Sequence, residues 1–131
     1  MAGTLVANTI NTDTGLFSTQ NAYSGIAKAW AQVSGGSPPV INGSFNVSSI
    51  TRVSTGIYTV AFTTAMSNIN YAVATATSST SANSCYSPQI FSNTTNWTTL
   101  APTTGGFNYV TSLSTTNVTD APYSCFVVYG T

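Results

Sequence analysis

SFNVSSITRVSTGIYTVAFTTAMSNINYAV, residues 44–73, is the stretch whose reading decides the fold. Apolar, β-branched and aromatic residues alternate here with Ser, Thr and Asn at a period of two, the spacing of a half-buried strand. Ser44–Ile50 and Ile57–Thr64 read as two strands joined across Thr51-Arg52-Val53-Ser54-Thr55-Gly56, a short Gly-containing loop of hairpin type. In the second strand Tyr58, Val60 and Phe62 line one face. Tyr71–Thr77 continues the meander, with Tyr71 and Val73 on one face and Ala72, Ala74 and Ala76 on the other.

The same pattern extends in both directions. Upstream, Ile26–Val33 puts Ile26, Lys28, Trp30 and Gln32 on one face and Ala27, Ala29, Ala31 and Val33 on the other, and Gly35-Gly36-Ser37-Pro38-Pro39 then breaks the chain. Thr4–Ile10 is a first short strand, followed by a polar stretch through Asn21. Downstream of the polar loop Ser78–Ser84 come four more strand-like runs, Tyr86–Phe91, Asn96–Leu100, Phe107–Ser114 and Tyr123–Tyr129. Nothing reads as a long helix; Ala22–Val33 lacks an apolar stripe at helical spacing and contains Gly25. Roughly eight or nine short strands, spaced by about ten residues, predict an all-β antiparallel sandwich or barrel. The small faces of 27–31 and 72–76 have two readings: a tight contact between sheets inside one domain, or close packing against other copies of the chain.

With 131 residues and 13.5 kDa the chain is sized for one domain. Only Asp13, Lys28, Arg52 and Asp120 carry formal charge, 3% of residues, and the chain has no His. General acid–base catalysis and metal ligation draw on the residue types that are scarcest here, so no catalytic residues, no metal site and no cofactor are expected. Zero net charge gives nucleic acid and anionic membranes nothing to hold. The N-terminus has no basic region of a secretory leader, and no run approaches the length of a membrane span. Synthesis and folding in a cytoplasm are therefore expected, with Cys85 and Cys125 as free, buried thiols.

Each residue that could carry chemistry has a plainer reading. Asp13 lies in a polar stretch and Asp120 precedes Ala-Pro, so both read as turn-capping residues. Lys28 sits alone on an uncharged face, and five Asn-x-Ser/Thr sequons, at Asn42, Asn46, Asn93, Asn96 and Asn117, are about what this Asn-, Ser- and Thr-rich composition yields by chance. The aromatic residues of the second half, Tyr86, Phe91, Trp97, Phe107 and Tyr109, stand among amides and hydroxyls. A ring that stacks on a sugar, with amides beside it, is the usual chemistry of glycan binding. Tyr86, Asn93, Asn96, Trp97 and Tyr109 are the candidate ligand contacts, Trp97 first, on loops between Ser78 and Asn108 that include Asn83, Gly105 and Gly106. The alternative for each ring is the core.

The run Ala27-Lys28-Ala29-Trp30-Ala31-Gln32-Val33, a Gly/Ser/Pro break and residues 44–73 together resemble the terminal knob of tail-fibre and related virion-surface proteins of tailed bacteriophages, especially those of marine hosts and cyanobacteria. The resemblance is close over residues 27–73 and looser to the end, where Asp120-Ala121-Pro122 leads into the Val-rich run Cys125–Tyr129. It implies an all-β, sandwich or jelly-roll-like knob, a homotrimer, exposed on a virion assembled in the host cytoplasm. Its partners would be copies of itself, other capsid or tail proteins and host-surface polysaccharide, with no nucleic acid and no membrane insertion. The family motif marks a scaffold and transfers no binding residues. On this reading residues 25–131 form the knob and residues 1–24 an extended arm that attaches through Leu5, Val6, Leu16 and Phe17. The rival role is a capsid decoration that stabilises the particle.

Overall fold

The computed structural model describes residues 9–12, 15–18, 25–79, 86–91, 100–114 and 117–130. In chain order the strands are β1 (Thr9–Thr12), β2 (Gly15–Ser18), β3 (Ala29–Ser34), β4 (Val40–Phe45), β5 (Val47–Ser54), β6 (Ile57–Phe62), β7 (Ala72–Thr77), β8 (Ser87–Ile90), β9 (Gly106–Ser114), β10 (Asn117–Val118) and β11 (Tyr123–Tyr129). Among the described residues every pairing is antiparallel. One sheet has the order β4-β3-β11-β7. In the other, β6 lies between β5 and β9. Val110 of β9 pairs with Ile57 on one side and Gln89 on the other, so β8 closes the far edge of β9. The fold is an all-β antiparallel sandwich whose strands are exchanged between sheets as the chain proceeds.

The sheets meet by placing small residues opposite large ones. Ala29, Ala31 and Val33 of β3 are fully buried, and Tyr58, Val60, Phe62, Phe107 and Tyr109 fill the space above them from the second sheet. Interiors pack at crystal-like density, so a strand of alanines has to face a strand of rings. Phe107 is the hub: its ring centroid lies 5.1 Å from Phe126, 6.0 Å from Phe62, 6.1 Å from Phe91 and 6.5 Å from Tyr71. Gly106 enters this layer at φ +157°, where a side chain would run into the Val60 carbonyl.

Three readings of the deciding stretch are corrected. Ser44–Ile50 is not one strand. Asn46 adopts φ 55° and divides the run, sending β4 into one sheet and β5 into the other. Asn enters this left-handed region more readily than most residues, and its amide fixes the crossover. Asn46 Nδ2 donates to the Lys28 and Thr64 carbonyls, at 2.9 and 3.1 Å, and Oδ1 accepts from the Thr64 amide at 2.7 Å. Second, the hairpin loop is tighter than six residues, because β5 continues to Ser54 and only Thr55 and Gly56 separate it from Ile57. Third, β7 does not continue the meander; it crosses over to pair with β11.

The two small-residue faces behave oppositely. Ala29 and Ala31 take the first reading, a contact between sheets inside the domain. Ala72, Ala74 and Ala76 are exposed on the outer side of the first sheet. Cys125 is free as expected but exposed, since it shares that outer side with Ala76, its β7 partner. The sequence predicts one strand over Thr4–Ile10 followed by a polar stretch; among the described residues this region carries two short paired strands. Ile10 pairs with Phe17 and Asn11 with Leu16 in a separate two-stranded sheet.

Candidate functional site

Two features of the second half position whatever its loops carry. The chain leaves β8 through Phe91, whose amide donates to the Asn108 carbonyl at 2.8 Å and whose carbonyl accepts from the Leu100 amide at 2.7 Å. Phe91 and Leu100, the described residues that flank 92–99 in sequence, are therefore held to each other by a backbone hydrogen bond. Phe91 holds φ 57°, a conformation rare for a bulky residue, while its ring packs edge-on against Tyr71 and Phe107. Backbone strain of this kind, held by packing against the core, clusters at functional sites. At the other end, Thr77 Oγ1 donates to the Tyr86 carbonyl at 2.9 Å and Ser78 N donates to the Tyr123 carbonyl at 2.9 Å, which clamps the borders of the preceding loop.

The candidate contacts separate on this frame. Asn93, Asn96 and Trp97, with Asn83 and Cys85, lie outside the described residues, as do Leu5 and Val6 of the arm and Asp13. Tyr86 is half-buried, one residue before β8. Tyr109 is corrected: only 2% exposed, it stacks on Tyr58 with centroids 5.0 Å apart, and its hydroxyl is bonded to Ser124 Oγ at 3.1 Å. A ring sandwiched this way cannot reach a ligand, and burial pushes its hydroxyl pKa up to about 12. Phe107 is core as well, and Phe91 is partly buried against it.

Asp120 does more than cap a turn. Its carboxylate accepts from Arg52 Nε at 3.0 and 3.1 Å, Arg52 Nη2 at 2.8 Å, the Gly56 amide at 2.7 Å and the Tyr58 hydroxyl at 2.6 Å. Arg52 Nη2 also donates to Thr55 Oγ1 at 2.9 Å. The cluster ties the β5–β6 turn to the segment leading into β11. Partial burial alone would raise the Asp120 pKa; the donors from Arg52, Tyr58 and Gly56 outweigh it and hold the carboxyl below its ordinary range. Every polar atom of that carboxylate is committed to the fold. Sequence reasoning missed Arg52, and the signal available was its position in a hairpin loop of a chain with one other cation.

Two apolar surfaces complete the inventory. A cleft of about 700 Å³ opens at one end of the sandwich, lined by Ile26, Lys28, Phe45, Asn46, Thr64 and Met66 among others. The second is the outer side of the β4-β3-β11-β7 sheet, where Trp30, Val40, Phe45, Tyr123 and Tyr129 stand exposed. Among the described residues no group of three His, Cys, Asp or Glu side chains converges as a metal site, and no helix is long and apolar enough to cross a membrane. No family model matches the chain, and no curated protein or solved structure is a match for it.

Proposed function

We propose that this chain is a non-catalytic surface knob of a tailed-bacteriophage particle, assembled as a homotrimer, with loops of its second half meeting host-surface polysaccharide. The observation that supports the recognition role is the backbone hydrogen bond between Phe91 and Leu100, which flank the Asn93, Asn96 and Trp97 segment in sequence, together with the packing of Phe91 on the aromatic hub. The virion assignment rests on the resemblance over residues 27–73. The non-catalytic assignment rests on chemistry: the scarce charged groups include an Arg52–Asp120 pair wholly used in holding turns together. Three weak sites per trimer, repeated over a particle, would raise avidity by orders of magnitude.

A second reading, capsid decoration with a structural role, is favoured by the bare apolar side of the first sheet and by the withdrawal of Tyr109 into the core. Both are surfaces and residues suited to protein packing. Replacing Trp97 with Ala separates the readings. The recognition role requires a folded, assembled protein whose adsorption to host cells is lost; unchanged adsorption with intact folding leaves decoration as the better account. Attachment is tested by a chain starting at Ser24, which is expected to fold but not to join the particle.

A further inference from the structure

We infer that the outer side of the β4-β3-β11-β7 sheet is the surface through which copies of this chain associate, with the Phe45 and Trp30 edge of one face laid on the alanine strand β7 of its neighbour's. The register builds this face row by row. One row across the four strands reads Phe45, Trp30, Val127, Ala74; the next reads Gly43, Gln32, Cys125, Ala76. Val40, Ser34 and Tyr123 form a third row, and Tyr129 and Ala72 a partial fourth. Large side chains thus stand on three strands, Val40 and Phe45 on β4, Trp30 on β3 and Tyr123 and Tyr129 on β11, whereas the outer side of β7 carries methyl groups only. Trp30 reaches over Gly43, where a Cβ would sit 3.5 Å from its ring, so this ring forms a platform across β3 and β4.

Size, chemistry and shape each point to a second copy as the occupant. Phe45 is 55% exposed, Tyr123 51%, Trp30 41% and Tyr129 40%. At about 200 Å² for each fully exposed aromatic side chain, these four rings alone offer on the order of 370 Å². Val40, Val127, Gln32, Cys125 and the three alanines bring the face towards the roughly 800 Å² per partner of a stable interface. None of the residues in these four rows is Asp, Glu, Lys, Arg or His, so the face offers no formal charge to an acidic or basic partner. The Trp30 and Phe45 rings at one edge and the methyl-only strand β7 at the other give the face a raised and a low edge, and self-association can set one against the other. Exposed apolar patches of this extent on soluble domains mark association surfaces.

The inference deepens the self-association in the proposed function and does not depend on the phage assignment; particle mass reads the one and host adsorption the other. The test uses the full chain. Native mass spectrometry should find an oligomer at micromolar concentration, and Cys125 should resist alkylation there while reacting on dilution, with peptide mapping separating it from Cys85. Ala74→Arg puts a charge on an already exposed position of β7 and should raise the dissociation constant about 100-fold or more. Thr51→Arg, exposed on the other sheet, should leave it unchanged. Near-ultraviolet circular dichroism checks that both variants fold. The register is read in a Cys85→Ser, Cys125→Ser background: a short bis-maleimide should link Phe45→Cys chains to Ala74→Cys chains and should not link either variant to itself. A monomer at these concentrations with freely reacting Cys125 overturns the proposal, including the case where the face binds neutral lipid vesicles instead. So does an oligomer indifferent to Ala74→Arg, or one in which Phe45→Cys chains link only to one another.

Discussion

Asp120 and three tyrosines set how this protein answers pH. The folded Asp120 carboxyl is held below its ordinary range, so the unfolded chain takes up the proton first as pH falls. Stability from this group is complete above the unfolded value of about 4 and is lost as pH drops through the depressed folded value. The tyrosines act with the opposite sign. Burial first, then the Asp120 hydrogen bond, raises Tyr58, and burial raises Tyr71 and Tyr109 to about 12 each. Their contribution is complete below the unfolded value of about 10 and disappears as pH rises through the folded values. With no His to titrate between them, the urea midpoint is expected to be flat from about pH 5 to 9 and to fall on both sides. Asp120→Asn should lower the plateau by about 1–3 kcal/mol and flatten the acid limb. A step near pH 6.5 in the urea titration would contradict this account. Asn46 is the second residue whose role is sharply testable. Asn46→Ala removes three hydrogen bonds and leaves a residue poorly suited to φ 55°, so unfolding free energy should drop by about 2–4 kcal/mol in chemical denaturation.

Among the elements, the β5–β6 hairpin depends on a single glycine. Gly56 has φ 67°, and a Cβ there would approach the Thr111 carbonyl and Val118 Cγ1 to 2.6 Å. Its amide is also one of the Asp120 donors. Gly56→Ala is expected to destabilise by about 2 kcal/mol or more, measured by thermal or urea unfolding, whereas Gly25→Ala, in open space, should stay within about 0.5 kcal/mol. Much of this level was legible in advance. The Tyr58, Val60 and Phe62 face is buried, the opposed faces of β7 are as the alternation required, and Tyr123–Tyr129 is a strand to the residue. Period-two patterning reports which side of a strand is buried; it carries no information on which sheet the strand joins. The Asn46 crossover was hidden for that reason, since alternation runs through it and only a dihedral angle marks the break. Tyr109 was misread because a ring beside Asn108 looks the same in sequence whether the ring or the amide faces the core. Trp97 was never distinguishable from a core Trp by its neighbours alone.

For the whole molecule, the scarcity of charge determines how an assembly of copies should respond to solvent. Screening by salt acts on charges, and the face proposed for association has none in its four rows; Lys28 lies one position before β3, at the rim. Its attraction comes from apolar area removed from water, which is entropic near room temperature and weakens on cooling. The oligomer should therefore keep its dissociation constant within about threefold as sodium chloride rises from about 0.05 to 1 M. Sulfate, which is excluded from protein surface, should tighten it, and chilling towards 0 °C should loosen it. Sedimentation equilibrium across these conditions measures all three. A dissociation constant that climbs steadily with sodium chloride would place the contact on the few charged residues, with the Arg52–Asp120 cluster as the first place to look. Cold-induced tightening would point to a polar, hydrogen-bonded contact, which the hydroxyl- and amide-rich loops could supply and the Trp30–Phe45 platform could not. The direction of the temperature effect thus distinguishes the sheet face from the loops without any substitution in the chain.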